Sequence, residues 1–162
     1  MHSKIFQIAN KHIDKEDYQS PDAYYDNSGD FADYIGDEIT GEDRKESLSH
    51  LTELLKDVFR QVRPGVYAYK GEEAMQTFKQ AWADGIKSMA DSLTADNLFK
   101  SQRLFNIRKV TEETHLCTSY RVDIADWADG VAYPFGEIFE YAASQLKQGD
   151  RIYVGAIIDY HY

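Results

Sequence analysis

Arg151-Ile152-Tyr153-Val154-Gly155-Ala156-Ile157-Ile158-Asp159-Tyr160 is the stretch that decides the fold. It is rich in branched and aromatic side chains and poor in charge, the pattern of a strand. Strict alternation puts Ile152, Val154, Ala156, Ile158 and Tyr160 on one face and Gly155, Ile157, Asp159 and His161 on the other. A strand needs hydrogen-bonding neighbours, and earlier parts of the chain offer them. Leu104 to Val110 and His115 to Ala125 read as two strands joined by the polar Thr111-Glu112-Glu113-Thr114, a hairpin pattern. In its second strand Leu116, Thr118, Tyr120, Val122 and Ile124 are expected to face the core, and His115, Cys117, Ser119, Arg121 and Asp123 to face away from it. Lys4 to Ala9 is a shorter candidate for a first strand.

Much of the remaining chain has helical spacing. Leu48, Leu51, Leu54, Leu55, Val58, Phe59 and Val62 recur with a 3.6 period from about Glu42 to Arg63-Pro64-Gly65, where proline stops the ladder. Val66 to Tyr69 is a short extended piece. From Gly71 a longer helix opens on Glu72 and Glu73, which favour the positive end of its dipole. Its core stripe is Met75, Phe78, Trp82, Ile86, Met89 and Leu93, and Gly85 inside it points to a close crossing with another element. Pro134 starts a last helix with Phe135, Ile138, Phe139, Ala142 and Leu146 inward, closed by Gly149. The expectation is an α+β fold in a single domain over 1–162. Several amphipathic helices pack on one face of a small, mainly antiparallel sheet of three to four strands.

The composition narrows the function classes. The 162 residues hold 28 acidic and 18 basic side chains, a net charge of −10, and 22 aromatics. The aromatic load argues against disorder. A negative field repels phosphate backbones, so direct nucleic-acid binding is not expected. The single cysteine, Cys117, excludes an internal disulfide and an all-cysteine zinc site. The first residues lack the apolar run of a signal peptide, and no stretch is apolar enough to span a bilayer, so a cytoplasmic protein without membrane contact is expected.

The charge is unevenly placed. Asp14 to Glu46 carries twelve acidic residues against Lys15, Arg44 and Lys45, leaving the rest of the chain nearly neutral with 16 acidic and 15 basic residues. Tyr18, Tyr24, Tyr25, Phe31, Tyr34, Ile35 and Ile39 are interleaved with these carboxylates. Ser20-Pro21-Asp22 reads as the capped start of a short helix, and Asn27-Ser28-Gly29 as a break. Phe31, Tyr34, Ile35 and Ile39 then fall at the spacing of a second amphipathic helix. Two readings follow: a solvated acidic face docked by its aromatics, or an acidic surface presented to a basic protein partner. In the second, Asp22, Asp26, Asp30, Asp33, Asp37 and Glu38 make the surface, with Trp127 of the Asp126-Trp127-Ala128-Asp129-Gly130 loop as an aromatic anchor.

Signatures of catalysis are absent: no phosphate loop, dinucleotide fingerprint, His-Glu-x-x-His or Gly-x-Ser-x-Gly occurs. One constellation is chemically adequate. His115 and Cys117 share a strand face, as do Asp159 and His161, and adjacent strands in register would bring the four together as zinc ligands. Cys117 with His115 and Arg121 is the corresponding candidate for a cysteine nucleophile. No cofactor or metal is expected, because a one-residue slip separates the set. The leading reading is a non-catalytic binding or regulatory protein that uses the acidic, aromatic-rich segment. The alternative is a small enzyme or metal-binding protein with its site on the polar sheet face.

Overall fold

The computed structural model describes residues 1–25, 31–99, 104–105, 118–128 and 130–162. In chain order its elements are β1 (His2–Ala9), β2 (Tyr34–Glu38), α1 (Gly41–Leu55), β3 (Phe59–Arg63), β4 (Val66–Tyr69), α2 (Glu72–Asp91), β5 (Arg121–Ile124), β6 (Tyr133–Pro134), α3 (Glu137–Gln145) and β7 (Arg151–His161). Two 3₁₀ turns, Lys15–Asp17 and Pro21–Tyr24, lie between β1 and β2.

The fold is α+β, and the strands form one sheet of order β3-β4-β7-β1-β5-β6, with β2 also on β7. β7 is hydrogen-bonded along both edges. On one side β1 runs antiparallel to it, from His2 opposite His161 to Ala9 opposite Tyr153. The other side is shared: β4 pairs with Arg151 to Tyr153, and β2 pairs with Ile158 to His161. β5 lies parallel to β1, so the sheet is mixed.

Seven mixed strands correct the expected three to four antiparallel ones. Two of the extra strands sit inside stretches with helical spacing. Tyr34 to Glu38 is a strand because β7 offers its backbone groups there, and Ile35, with helix and strand both open to it, is buried against that edge. The expected helix through Val62 ends at Leu55. Phe59 to Arg63 instead folds back on Val66 to Tyr69, and Pro64-Gly65, with φ +74° at Gly65, makes the turn. Leu104 and Phe105 have helical backbone, which departs from the expected strand, and the rest of the expected hairpin up to Cys117 lies outside the described residues.

The alternation assigned to β7 is also corrected. Phe6 stands opposite Ile157 but Ile8 opposite Val154, so Gly155 and Ala156 together face Gln7, a β-bulge. The extra residue inverts the side-chain facing. Ile152 and Val154 join Ile157 in the main core, whereas Ala156, Ile158 and Tyr160 belong to a second core. The main core takes Leu48, Leu51 and Leu55 from α1, Met75 from α2 and Ile138, Phe139 and Ala142 from α3, against Phe6, Ile8, Val122 and Ile124 of the sheet. The second core joins Ile5, Ile35, Ile158 and Tyr160 to Tyr24, with Tyr18 and Phe31 packed on it. Both faces of the sheet are therefore covered.

Two side chains complete the bulge. Gln7 Oε1 accepts from the backbone N–H of Ala156 (3.0 Å) and of Gln19 (3.1 Å), and its Nε2 donates to Asp17 O (3.1 Å). On the opposite edge, between the ends of β4 and β2, Arg44 Nη2 donates to Gly155 O (2.7 Å). A Cβ at Gly155 would overlap Gln7 Oε1 and stand 2.9 Å from Ile13 Cδ1. Gly85 is the contrary case. Among the described residues nothing lies within 4 Å of a Cβ built there and no element crosses α2 at that point, and of the expected α2 stripe Met75 is the buried member.

These two glycines give a paired prediction. Gly155→Ala lowers unfolding stability by about 1–3 kcal/mol through overpacking. Gly85→Ala raises it by about 0.5–1 kcal/mol, because a helix interior favours alanine. Urea denaturation of both variants beside the parent measures the signs.

Candidate functional site

The acidic segment is anchored by its aromatics. Tyr24 is fully buried and its hydroxyl donates to Asp123 Oδ2 (2.7 Å), which also accepts from Gly130 N (3.2 Å). Phe31 packs edge-on against Tyr160, and the Arg121 guanidinium lies 4.5 Å from the centre of the Phe31 ring. Tyr25 donates to Ile35 O (3.1 Å), tying the turn to β2. Arg121 and Asp123 do lie on the opposite face from Val122 and Ile124, but that face is not solvated. Asp123 is completely buried beneath the segment.

With these rings turned to the sheet, carboxylates after Phe31 gather in a cleft of about 520 Å³. Its walls are the end of β2, the first turns of α1 and the outer ends of β1 and β7. Asp43, Glu46, Ser47 and His50 enter from one face of α1, at i, i+3, i+4 and i+7. Asp37 and Glu38 come from the end of β2, Thr40 from the β2–α1 connection, Asp159 from β7 and Lys4 from β1. Gly36 keeps this wall narrow, since a Cβ there would meet Asp159 Oδ2 at 3.0 Å.

The electrostatics are one-sided. Asp37, Glu38, Asp43, Glu46 and Asp159 face Lys4 and His50. Among the described residues, Asp159 is the one of these five carboxylates with a basic side chain bonded to it, His2 Nδ1 at 2.8 Å. Other acidic side chains of the chain are taken up by neighbours, as in Glu42–Lys45, Glu53–Lys56 and Glu140–Lys79. At the rim, Tyr120 OH stands 3.2 Å from His50 Nδ1. Burial, and then the charge of Glu46, push the Tyr120 phenol above its ordinary pKa, so it remains a neutral hydrogen-bonding group.

The sequence-derived candidates separate on the fold. Asp37 and Glu38 line the cleft, and Asp22 is exposed on the second 3₁₀ turn. Asp26 and Asp30 lie outside the described residues. Asp33 is exposed and bonded to His161 Nδ1 at 2.7 Å, a contact that holds its carboxyl below the usual carboxylate range. Trp127 is 38% exposed, with its ring edge-on to Tyr133 and Tyr141. His115 and Cys117 lie outside the described residues. Asp159 and His161 have β1, not β5, as the neighbouring strand on that side, since β1 separates β5 from β7. Among the described residues no group of three or more His, Cys, Asp or Glu is placed to hold a metal ion.

Asp43, Glu46, His50 and Lys4 were not singled out as site residues. The spacing of the first three along α1 carries a signal for a shared face, whereas nothing local in the sequence couples Lys4 or Asp159 to them.

No protein-family model, curated protein or solved structure matches the chain significantly. Among the described residues no helix is long and apolar enough to cross a membrane.

The Tyr24 to Asp123 bond is the testable anchor of the segment. Tyr24→Phe leaves a buried carboxylate short of a donor and costs about 1–3 kcal/mol. Tyr25→Phe, at a half-exposed position, stays within about 0.5 kcal/mol of the parent. Thermal or urea unfolding of the two variants discriminates them.

Proposed function

We propose that the protein is a non-catalytic binding or regulatory protein whose acidic cleft receives lysine or arginine side chains of a basic protein partner. The observation that carries this reading is the ion-pair pattern: four of the five cleft carboxylates, Asp37, Glu38, Asp43 and Glu46, have no cationic partner within the described residues. Carboxylates held close together repel one another, and an entering guanidinium relieves that repulsion while gaining paired hydrogen bonds. The same field opposes nucleic acid. Trp127 and Asp22 lie outside the cleft lining and enlarge the contact only with a partner that reaches past it.

Such complementarity acts mainly on the association rate and is screened by salt. The test uses a fluorescent oligoarginine peptide as probe. The parent protein binds it with an affinity that falls steeply as salt is raised. The variant Asp37→Asn/Glu38→Gln/Asp43→Asn/Glu46→Gln loses at least tenfold, about 1.4 kcal/mol. A control with the same charge change on α2, Glu72→Gln/Glu73→Gln/Asp84→Asn/Asp91→Asn, retains most of the binding. Equal loss in both variants would show a response to net charge alone and would refute the cleft.

A further inference from the structure

At the outer end of the sheet, beside the cleft, two histidines meet across strands. His2 and His161 are direct partners in the β1–β7 register, and their ring centres are 5.3 Å apart at an interplanar angle of 76°. Each is held from behind by a carboxylate: His2 Nδ1 by Asp159 Oδ2 at 2.8 Å, and His161 Nδ1 by Asp33 Oδ1 at 2.7 Å. The four residues come from β1, β7 and the position just before β2, so strand pairing brings them together. Their side chains are accessible, with His2 70% and His161 40% exposed.

The hydrogen bonds fix the tautomers. An ionised carboxylate only accepts, so Nδ1 of each ring carries the proton and, in the neutral imidazole, Nε2 keeps its lone pair. At His161 the lone pair already meets a cation, since the Met1 ammonium lies 2.7 Å from Nε2. Carboxylate on Nδ1 with Nε2 left to a cation is the arrangement that orients histidine ligands in metal sites and raises their basicity. Two imidazoles sharing one tetrahedral ion, with metal–nitrogen bonds of about 2.0–2.1 Å, have ring centres roughly 5 Å apart.

We propose that His2 and His161 form a binding site for a divalent transition-metal ion, ligated through the two Nε2 atoms, the ion displacing the Met1 ammonium from His161 Nε2, with Asp33 and Asp159 as outer-shell supports. Imidazole donors select the borderline metals, with Cu²⁺ bound more tightly than Ni²⁺ or Zn²⁺. The carboxylates are engaged with Nδ1 and do not enter the inner shell, in keeping with the absence of a three-residue ligand group among the described residues. Water takes the remaining positions, so the ion exchanges readily and differs from a closed structural zinc. The pair of residues flagged in β7, Asp159 and His161, is thus completed by His2 and Asp33 and does not need His115 or Cys117.

The test is calorimetric titration of the full chain with Cu²⁺, Ni²⁺ and Zn²⁺ salts in a non-coordinating buffer. A single equivalent binds, with Cu²⁺ tightest. His2→Gln and His161→Gln each weaken binding at least tenfold, and Asp33→Ala weakens it by about 10-fold or more through the lost outer-shell bond. His12→Gln and His50→Gln bind as the parent does. Circular dichroism of each variant checks folding, and His2→Gln, at the more exposed ring, carries the test should His161→Gln unfold. Absence of a stoichiometric metal, unchanged affinity in His2→Gln, or loss of binding in Cys117→Ser or His115→Gln would overturn the proposal.

Discussion

The hydrogen bonds of the Gln7 side chain with the bulge in β7 are the contacts on which the rest of the structure depends. Without the extra residue at Gly155-Ala156, the branched side chains of β7 would all follow one alternation and the sheet would have one strongly apolar face. With it, Ile152, Val154 and Ile157 serve the helix-covered core, and Ala156, Ile158 and Tyr160 serve the opposite face. One amide satisfies the N–H freed by the bulge and also fixes Gln19 and Asp17, so the bulge and the start of the acidic segment are held together. Arg44 closes the other edge of β7 through the Gly155 carbonyl, which sets the first turn of α1 beside β2.

That arrangement explains how a strongly acidic segment is accommodated. Its aromatics cover an apolar sheet face, and the cost of ordering them is offset by burial of Tyr24 and the contacts of Tyr18 and Phe31. The carboxylates cannot follow them inward, except where a donor waits. They are displaced to the edges, and where β2 meets α1 they converge with Asp159 across a narrow wall. The charge concentration in the sequence becomes a concave, one-sided field through this division between rings and carboxylates.

Parts of this were legible in the residues. β7, β4, the long α2 and the helix after Pro134 were legible as elements, although the facing of β7 and the buried stripe of α2 were not. β2 and β3 were not legible, because Phe31, Tyr34, Ile35 and Ile39 and, later, Val58, Phe59 and Val62 fit a helical stripe as well as a strand. A partner more than a hundred residues away decides the first case and the Pro64-Gly65 turn decides the second. The bulge is hidden for the same reason: a glycine within a strand signals one only when its partner, Gln7, is known. Asp37 and Glu38 were read as candidate site residues from charge alone, and they line the cleft. Asp43, Glu46 and His50 join the cleft through helix phase, and Lys4 and Asp159 through register.

The bulged β7 and the buried aromatics gather the carboxylates into one cleft, which we propose is a recognition surface. The most direct measurement is backbone and side-chain NMR of the full chain during titration with an arginine-rich peptide. Resonances of Asp37, Glu38, Asp43, Glu46 and Asp159 are expected to move together and saturate, while those of exposed acids such as Glu72, Asp84 and Asp91 move little. Small, unsaturated shifts spread over all exposed carboxylates would contradict it.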